Sequence, residues 1–558
     1  MNRLRTAPDL LILDATIGPD LVADGEVASA LAVSSGRIVA LGGSELRALG
    51  DDRTVVVNAG GRRLLPAFTD SHTHFQRGAI LRAEFIDLDE TRPRRIADVV
   101  ASVAERAERT PDGEWIQVDN LSQWKLEERS LPGRTDLDGA TQVHPVVVRG
   151  VGKHVVVANS FALSLAGITR ETEDPPGGRI ERDERGEPTG VLHERAKLRL
   201  DADRTDTVIR QLDPERRHAA LERGIAEANR LGITAIHEIV RAPEELSDFT
   251  ALREQGRLNI RVHHYIRAVE AVTKLEHVTS LGLRSGFGDD LQRIGGIKVS
   301  IDGSVMLRNA AIYGNYPDSE HGSGIERISP ADLAEIVRTC DARGLQVAVH
   351  AVGQRAVDIA LDAFEAAGTR AGSGHRHRIE HAALPPRAGQ FERVAALGLI
   401  LSMQPADLYD RGDYMADVTG WTDLTGYMPI RTAHDLGITV LLNTDFPTAP
   451  LDPIIGLRSA VYRRTESGRV MDPAQAIDLR AALRMMIANP VFAEFREGSR
   501  GIVALGALAD LILLSEDPLA EHGLRDEPVS AGPRVDLTTL GGAIVHAAPE
   551  VDVGGPAA

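Results

Sequence analysis

Six residues in this sequence carry side chains that hold metals or move protons, and each stands in or just after a run that reads as a β-strand. His72 and His74 close the stretch Leu64-Leu65-Pro66-Ala67-Phe68-Thr69-Asp70-Ser71-His72-Thr73-His74-Phe75. A strand alternates its side chains with period two, so both imidazoles face one side and can hold one divalent ion through neutral nitrogens. Asp70 shares that face and is a candidate partner of those histidines or a further ligand. His350 ends Gln346-Val347-Ala348-Val349-His350, and His381 ends His377-Arg378-Ile379-Glu380-His381. Either histidine alone reads as structural. Two of them on successive strands, together with the His-x-His pair, point to a metal site. Asp445 follows Ile438 to Thr444 and can contact a metal and take a proton from water. Taken alone it is a turn residue before Pro447.

Lys298 lies in Gly296-Ile297-Lys298-Val299-Ser300-Ile301-Asp302-Gly303 and shares a face with Ser300 and Asp302. An ammonium inside a barrel is costly unless it is paired or neutralised. Two readings follow. One is a buried ion pair with Asp302. The other is a lysine of depressed pKa that takes up CO2 as a carbamate and bridges two metals.

These residues need strands to carry them. From Gly232 onward apolar runs alternate with helical patterns. The runs are Ile233–Ile239, Ile260–Ile266, Ile294–Ile301, Gln346–Ala351, His377–His381, Leu399–Met403 and Ile438–Thr444. With the His-x-His strand first, this makes an α/β chain with a (β/α)8 TIM barrel, in which active residues sit at the C-terminal ends of the strands. Ser329 and Pro330 predict the start of one helix, and Asp213 and Pro214 that of another. Residues 76–230 form a long insertion after strand one, expected as a lid or a substrate-binding wall. Within it 114–118, 145–149 and 154–159 read as strands, the last two as a close pair. Residues 1–62 and 499–548 are rich in short β runs split by turns, and are expected to build one small β-sandwich from both chain ends. The barrel then covers 63–498, and 549–558 is expected as a frayed tail.

Composition narrows the partners. Charged residues are 26% and hydrophobic residues 43%, an ordinary globular balance, and the net charge is −18. That charge disfavours nucleic acid and anionic membrane surfaces, which need clustered Lys and Arg. A small-molecule substrate is the expected partner. The single cysteine, Cys340, allows no intrachain disulfide and fits a reducing, cytoplasmic location. Near the start, Leu10 to Leu13 is too short for the core of a secretion signal, and nowhere do 18 apolar residues run together.

The six residues, taken in order, resemble the ligand pattern of the metal-dependent amidohydrolase superfamily: His-x-His on strand one, lysine on strand four, histidines on strands five and six, aspartate on strand eight. The resemblance extends over almost the whole chain. Gly36-Arg37-Ile38-Val39-Ala40-Leu41-Gly42 and Leu508-Ala509-Asp510-Leu511-Ile512-Leu513-Leu514 look like the flanking sandwich halves. Asp136-Leu137-Asp138, Pro145-Val146, His154, Asn159-Ser160-Phe161-Ala162-Leu163, Asp302-Gly303-Ser304 and Ser402-Met403-Gln404-Pro405 look like the amidohydrolase-3 branch, which includes N-substituted formamide deformylases. One departure, in the sandwich, is the lack of a basic residue before Ala509-Asp510.

The resemblance implies two divalent ions, zinc by default, with one ion as the alternative. His72, His74 and Asp445 would hold the more buried ion, His350 and His381 the second, and carboxylated Lys298 would bridge them. A hydroxide between the metals would attack the substrate carbonyl, with Asp445 as general acid and base. His154 is the candidate substrate contact; His237, Glu238, His193 and Glu194 are weaker candidates for the mouth. The implied reaction is hydrolysis of a non-peptide C–N bond in an amide, N-substituted formamide or cyclic amide. The alternatives on this fold are a one-metal deaminase-like enzyme, an ester or lactone hydrolase, and a scaffold without activity. A homodimer is expected by analogy.

Overall fold

The computed structural model describes residues 7–18, 27–88, 93–150, 155–200, 209, 212–268, 274–317, 322–520, 524 and 532–554. The chain divides into two compact units, one of residues 1–75 with 225–558 and one of residues 76–224.

The first unit holds an eight-stranded parallel sheet whose strands pair in chain order. They are β1 (Phe68–Thr73), β2 (Ile233–Val240), β3 (Arg261–Arg267), β4 (Gln292–Ser300), β5 (Gln346–Ala351), β6 (Arg378–His381), β7 (Ile400–Met403) and β8 (Val440–Leu442). Both faces of a parallel sheet are covered, which accounts for the apolar residues of these runs, while β1 (Phe68-Thr69-Asp70-Ser71-His72-Thr73) and β6 (Arg378-Ile379-Glu380-His381) carry polar side chains into the buried interior. Helices lie between most of them. Pro330–Arg343, for example, starts where Ser329 Oγ accepts the Asp332 N–H at 3.1 Å and stops at Gly344, whose φ is +66°. The seam between β8 and β1 is closed just beyond β8: Asp445 N–H donates to His72 C=O at 3.0 Å, and His74 N–H to Phe446 C=O at 2.7 Å. The sheet is thus a (β/α)8 barrel, and its closing bonds run through residues singled out for chemistry.

Two smaller sheets form a sandwich from both chain ends. One orders Asp552–Gly554, Val55–Asn58, Leu10–Leu13, Ala30–Ser34 and Arg37–Gly42; the other orders Ala543–Ala547, Val535–Leu540, Leu511–Leu514 and Arg63–Pro66. Leu10, Ile12, Leu31, Val33, Leu64, Leu511, Leu513 and Leu537 meet in their shared core.

Three expectations change in detail. The leading stretch is not one strand: Arg63–Pro66 pairs with Leu511–Leu514 in the sandwich, and the barrel begins at Phe68. Ala67 N–H turns to Asp510 C=O between the two. Within the β-rich 499–548 region, the run Gly501-Ile502-Val503-Ala504-Leu505, which reads as a strand in the sequence, forms none, because Gly501 and Gly506, at φ +68° and +83°, turn the chain. The expected tail supplies the strand Asp552–Gly554, which pairs the otherwise open edge of Val55–Asn58.

The second unit is a mixed six-stranded sheet, ordered Gly178–Arg182, Pro188–Glu194, Val155–Ala158, Val146–Gly150, Ile116–Leu121, Ile86–Asp87. Val155–Ala158 and Val146–Gly150 pair antiparallel, as expected. Among the described residues no helix is long and apolar enough to cross a membrane.

Sandwich and barrel share a buried ion pair. Arg261, at the start of β3, donates Nε–H and Nη2–H to the two oxygens of Asp510 at 2.6 and 2.8 Å, and Gly541 N–H adds a third bond at 2.8 Å. Removing one partner of such a pair leaves the other charge buried. Asp510→Ala is therefore expected to destabilise the protein by about 3–5 kcal/mol, measured as a lower thermal midpoint. An unchanged midpoint would show that the pair contributes nothing.

Candidate metal centre

His72 ends the inward face of β1 and is 1% exposed. Its Nδ1 bonds to Glu380 Oε2. A carboxylate only accepts, so the ring hydrogen sits on Nδ1 and the Nε2 lone pair is left for a cation. Lys298 Nζ lies 3.3 Å from that Nε2. Asp445 Oδ1 lies 3.6 Å from His72 Nε2 and 3.7 Å from His74 Nε2, too long for hydrogen bonds. This carboxylate oxygen is buried and has no hydrogen-bond partner among the described residues. A bare anion ringed by imidazole nitrogens is costly alone and suits a divalent cation.

His381 joins the same group. His72, His381 and Asp445 each offer a ligand atom, all within 4.8 Å of one another. The His381 ring packs 5.2 Å from that of His72 and 4.5 Å from that of His350. Gln404 donates its amide to Asn443 Oδ1 at 2.8 Å, which points its oxygen at His381 Nδ1, also at 2.8 Å. His381 therefore donates from Nδ1 and keeps its Nε2 lone pair. His350 donates Nε2–H to Gly303 C=O at 2.8 Å, so its lone pair is on Nδ1. The cluster crosses the expected division of ligands, since His381 groups with His72 rather than only with His350.

The backbone works against period-two alternation here. Glu380 and His381 are adjacent on β6, yet both serve the barrel interior. His381 has φ +80° and Ala382 φ +45°, and Asp445 has φ +53°. Such values are rare for residues with a Cβ and gather where a site is over-determined by its surroundings. Asp70 supports the last of these positions: its carboxylate accepts Thr444 N–H at 3.0 Å and the Thr444 hydroxyl, one residue before Asp445.

Burial sets the charges. It holds His72 and His350 well below the ordinary imidazole range and His381 at about 4, so all three stay neutral as ligands must. It lowers Lys298 to about 8 and lifts Asp445 to about 7.

Several expectations are relocated. Asp302 does not pair with Lys298; its carboxylate accepts the N–H groups of Ala311, Val352 and Gly353 at 2.9, 3.0 and 2.9 Å. His237 is fully buried inside the barrel, bonded to Glu494 and Arg378, rather than free at the mouth. Glu238 is turned to Thr73 Oγ1 and Phe75 N–H at 3.1 and 2.6 Å. His193 belongs to the second unit and faces Glu181 at 3.4 Å. His154 lies outside the described residues. Glu380 and Arg378 were missed. Their signal was two charges of opposite sign, two apart, on a short buried strand.

A cavity of about 100 Å³ opens beside the cluster, lined by His350, His381 and Asp445 with Met306, Val352, Ala383 and Met428. At its wall Tyr427 donates its hydroxyl to Asp407, which also receives Arg411, both at 2.6 Å.

The model of the amidohydrolase family matches residues 55–546, and the chain belongs to that family. It is a hydrolase of the metal-dependent amidohydrolase superfamily. It is 29% identical over 523 residues to the protein LONG AFTER FAR-RED 3 of Arabidopsis thaliana, covering 91% of this chain and 87% of that one. It is 28% identical over 522 residues to the N-substituted formamide deformylase of Arthrobacter pascens, covering 92% and 94%. The crystal structure of a metal-dependent hydrolase from Pyrococcus horikoshii superposes with a TM-score of 0.71 at 26% identity, covering 92% of this chain and 98% of that one.

Proposed function

We propose that this protein hydrolyses a non-peptide C–N bond in a small molecule, an amide, an N-substituted formamide or a cyclic amide. The observation that carries the reading is the buried Asp445 oxygen, which has no hydrogen-bond partner among the described residues and lies beside the imidazole nitrogens of His72 and His74. The likeness to an N-substituted formamide deformylase supports the choice of bond.

His72, His74, His350, His381, Asp445 and Lys298 would hold one or two divalent ions, zinc by ligand type. A bound divalent ion lowers the pKa of water from 15.7 to about 7 and polarises a carbonyl oxygen. The chain's own residues do the rest. Asp445 takes the proton of the attacking water as its oxygen bonds to the carbonyl carbon. The C–N bond then breaks, and the same carboxyl returns the proton to the departing nitrogen. A group poised near neutral pH serves in both directions. Burial lowers Lys298 to about 8, so a larger fraction of it is the neutral amine that CO2 requires than in an ordinary lysine. A new N–C bond would form, one proton would leave to solvent, and the carbamate oxygens would then be available to help hold a divalent ion. The aliphatic wall of Met306, Val352 and Met428 suits a compact uncharged group on the carbonyl side.

One observation favours a second reading. The ligand atoms of His72, His381 and Asp445 all lie within 4.8 Å of one another, so these three residues could by themselves hold a single ion. A one-metal, deaminase-like enzyme would leave Lys298 an amine beside His72.

Metal per chain separates the two. Inductively coupled plasma mass spectrometry on protein purified without chelators is expected to give close to two ions, falling to one in Lys298→Ala. A value of one in both proteins would select the second reading. Asp445→Asn keeps the shape of the proton carrier but not its function, so kcat for amine release from formamides and N-acyl amines is expected to fall about 10²–10⁴-fold. Full activity in this variant would remove Asp445 from the mechanism.

A further inference from the structure

Beneath the metal centre lies a second buried group, His237, His263 and Glu494, whose ligand atoms also fall within 4.8 Å of one another. Hydrogen-bond direction shows that it is not another metal site. Arg378 Nη1 lies 2.7 Å from His237 Nδ1, and a guanidinium can only donate. Nδ1 is therefore the acceptor. The ring hydrogen is on Nε2 and points at Glu494 Oε1, 2.8 Å away. Both nitrogens of His237 are committed, and Glu494 is further held by Arg500 through both its oxygens.

The chain of bonds continues from Arg378 toward the centre. Its Nε–H and Nη2–H donate to Glu380 Oε1 and Oε2 at 2.7 and 3.0 Å. Glu380 in turn accepts from His72 Nδ1. Each bond has one possible direction, and together they fix the His72 tautomer with its Nε2 lone pair free to accept from Lys298 Nζ, 3.3 Å away, or to meet a cation.

We propose that Glu494, His237 and Arg378 are positioning residues for the metal centre, which set its affinity for a divalent ion by holding Glu380 square against His72. The proposal rests on the reading of His72 as a metal ligand. Guanidinium geometry matters as well as charge, because the planar fork meets both carboxylate oxygens at once. None of the three touches the metal position. Loss of a partner behind a metal-bound histidine weakens metal binding about 10–100-fold.

The test is zinc affinity, by competition with a chromogenic chelator, together with the thermal midpoint of each metal-free protein. Arg378→Lys keeps the charge and loses the fork; His237→Phe keeps the ring and loses both bonds. Both are expected to weaken zinc binding about 10–100-fold. His237→Gln can accept from Arg378 and donate to Glu494 through one amide, and is expected to bind zinc within about twofold of wild type. Variants that melt earlier but bind zinc as wild type does would overturn the proposal and leave the hydrolase reading intact. A wild-type protein that binds no zinc would overturn both. Should the variants fail to fold, imidazole nitrogen NMR of the metal-free wild type tests the same chain. His72 is expected as the Nδ1–H tautomer and His237 as Nε2–H, and the opposite tautomer at either residue would overturn the proposal.

Discussion

The guanidinium of Arg378 lies fully buried at the centre of the barrel, and much of the interior is arranged to satisfy its five N–H groups. They reach Glu380 on β6, His237 on β2, Tyr265 on β3 at 3.1 Å, the Ser71 carbonyl on β1 at 2.7 Å and Ser402 on β7 at 3.3 Å. A buried charge is tolerated only when it is paired and its donors are met. Satisfying this one side chain therefore dictates polar atoms on five strands and fixes their mutual height. The same requirement places a carboxylate, Glu380, directly under the first histidine of the centre. Charge neutrality in the barrel and ligand orientation at its mouth have one common cause.

The second constraint is the seam. Asp445 donates its backbone N–H to His72 C=O, and the two also approach through their side chains. Barrel closure and assembly of the candidate centre are one event. Asp70 ties the same junction from below through Thr444. A displacement at the seam would move a ligand, and the left-handed backbone at Asp445 leaves few alternative conformations into which it could relax.

Much of this was legible in the sequence, for physical reasons. Parallel strands covered on both faces read as apolar runs, and β2, β5, β7 and β8 stood out in that way, whereas β1 and β6 stood out by their histidines. The six candidate residues stood at their ends. What escaped shares a different cause. Every side chain of β2 is buried, so burial could not tell that His237 points to the depth of the barrel and not to its mouth. Glu380 was passed over because alternation assigns it the face opposite His381. Only the positive φ of His381 brings both inward, and a histidine carries no signal for that conformation as glycine does. Asp302 looked like a counter-ion for Lys298 because they share a strand face. Three main-chain N–H groups from the loops at 311 and 352–353 compete for it and win. The strand Asp552–Gly554 is too short and polar to announce itself, and it exists because an edge needed a partner.

The sandwich pairs Arg63–Pro66 with Leu511–Leu514, strands near opposite ends of the chain. A ribosome adds about 5–20 residues per second. The early strands therefore leave the tunnel tens of seconds before their partners exist. Throughout that interval Leu10, Ile12, Leu31 and Val33 lack Leu511, Leu513 and Leu537, with which they share a core in the folded protein. Synthesis of this protein thus carries a vulnerable period set by topology rather than by stability. Its yield in a cell should depend on how well nascent chains are shielded, and slower translation would lengthen the exposure.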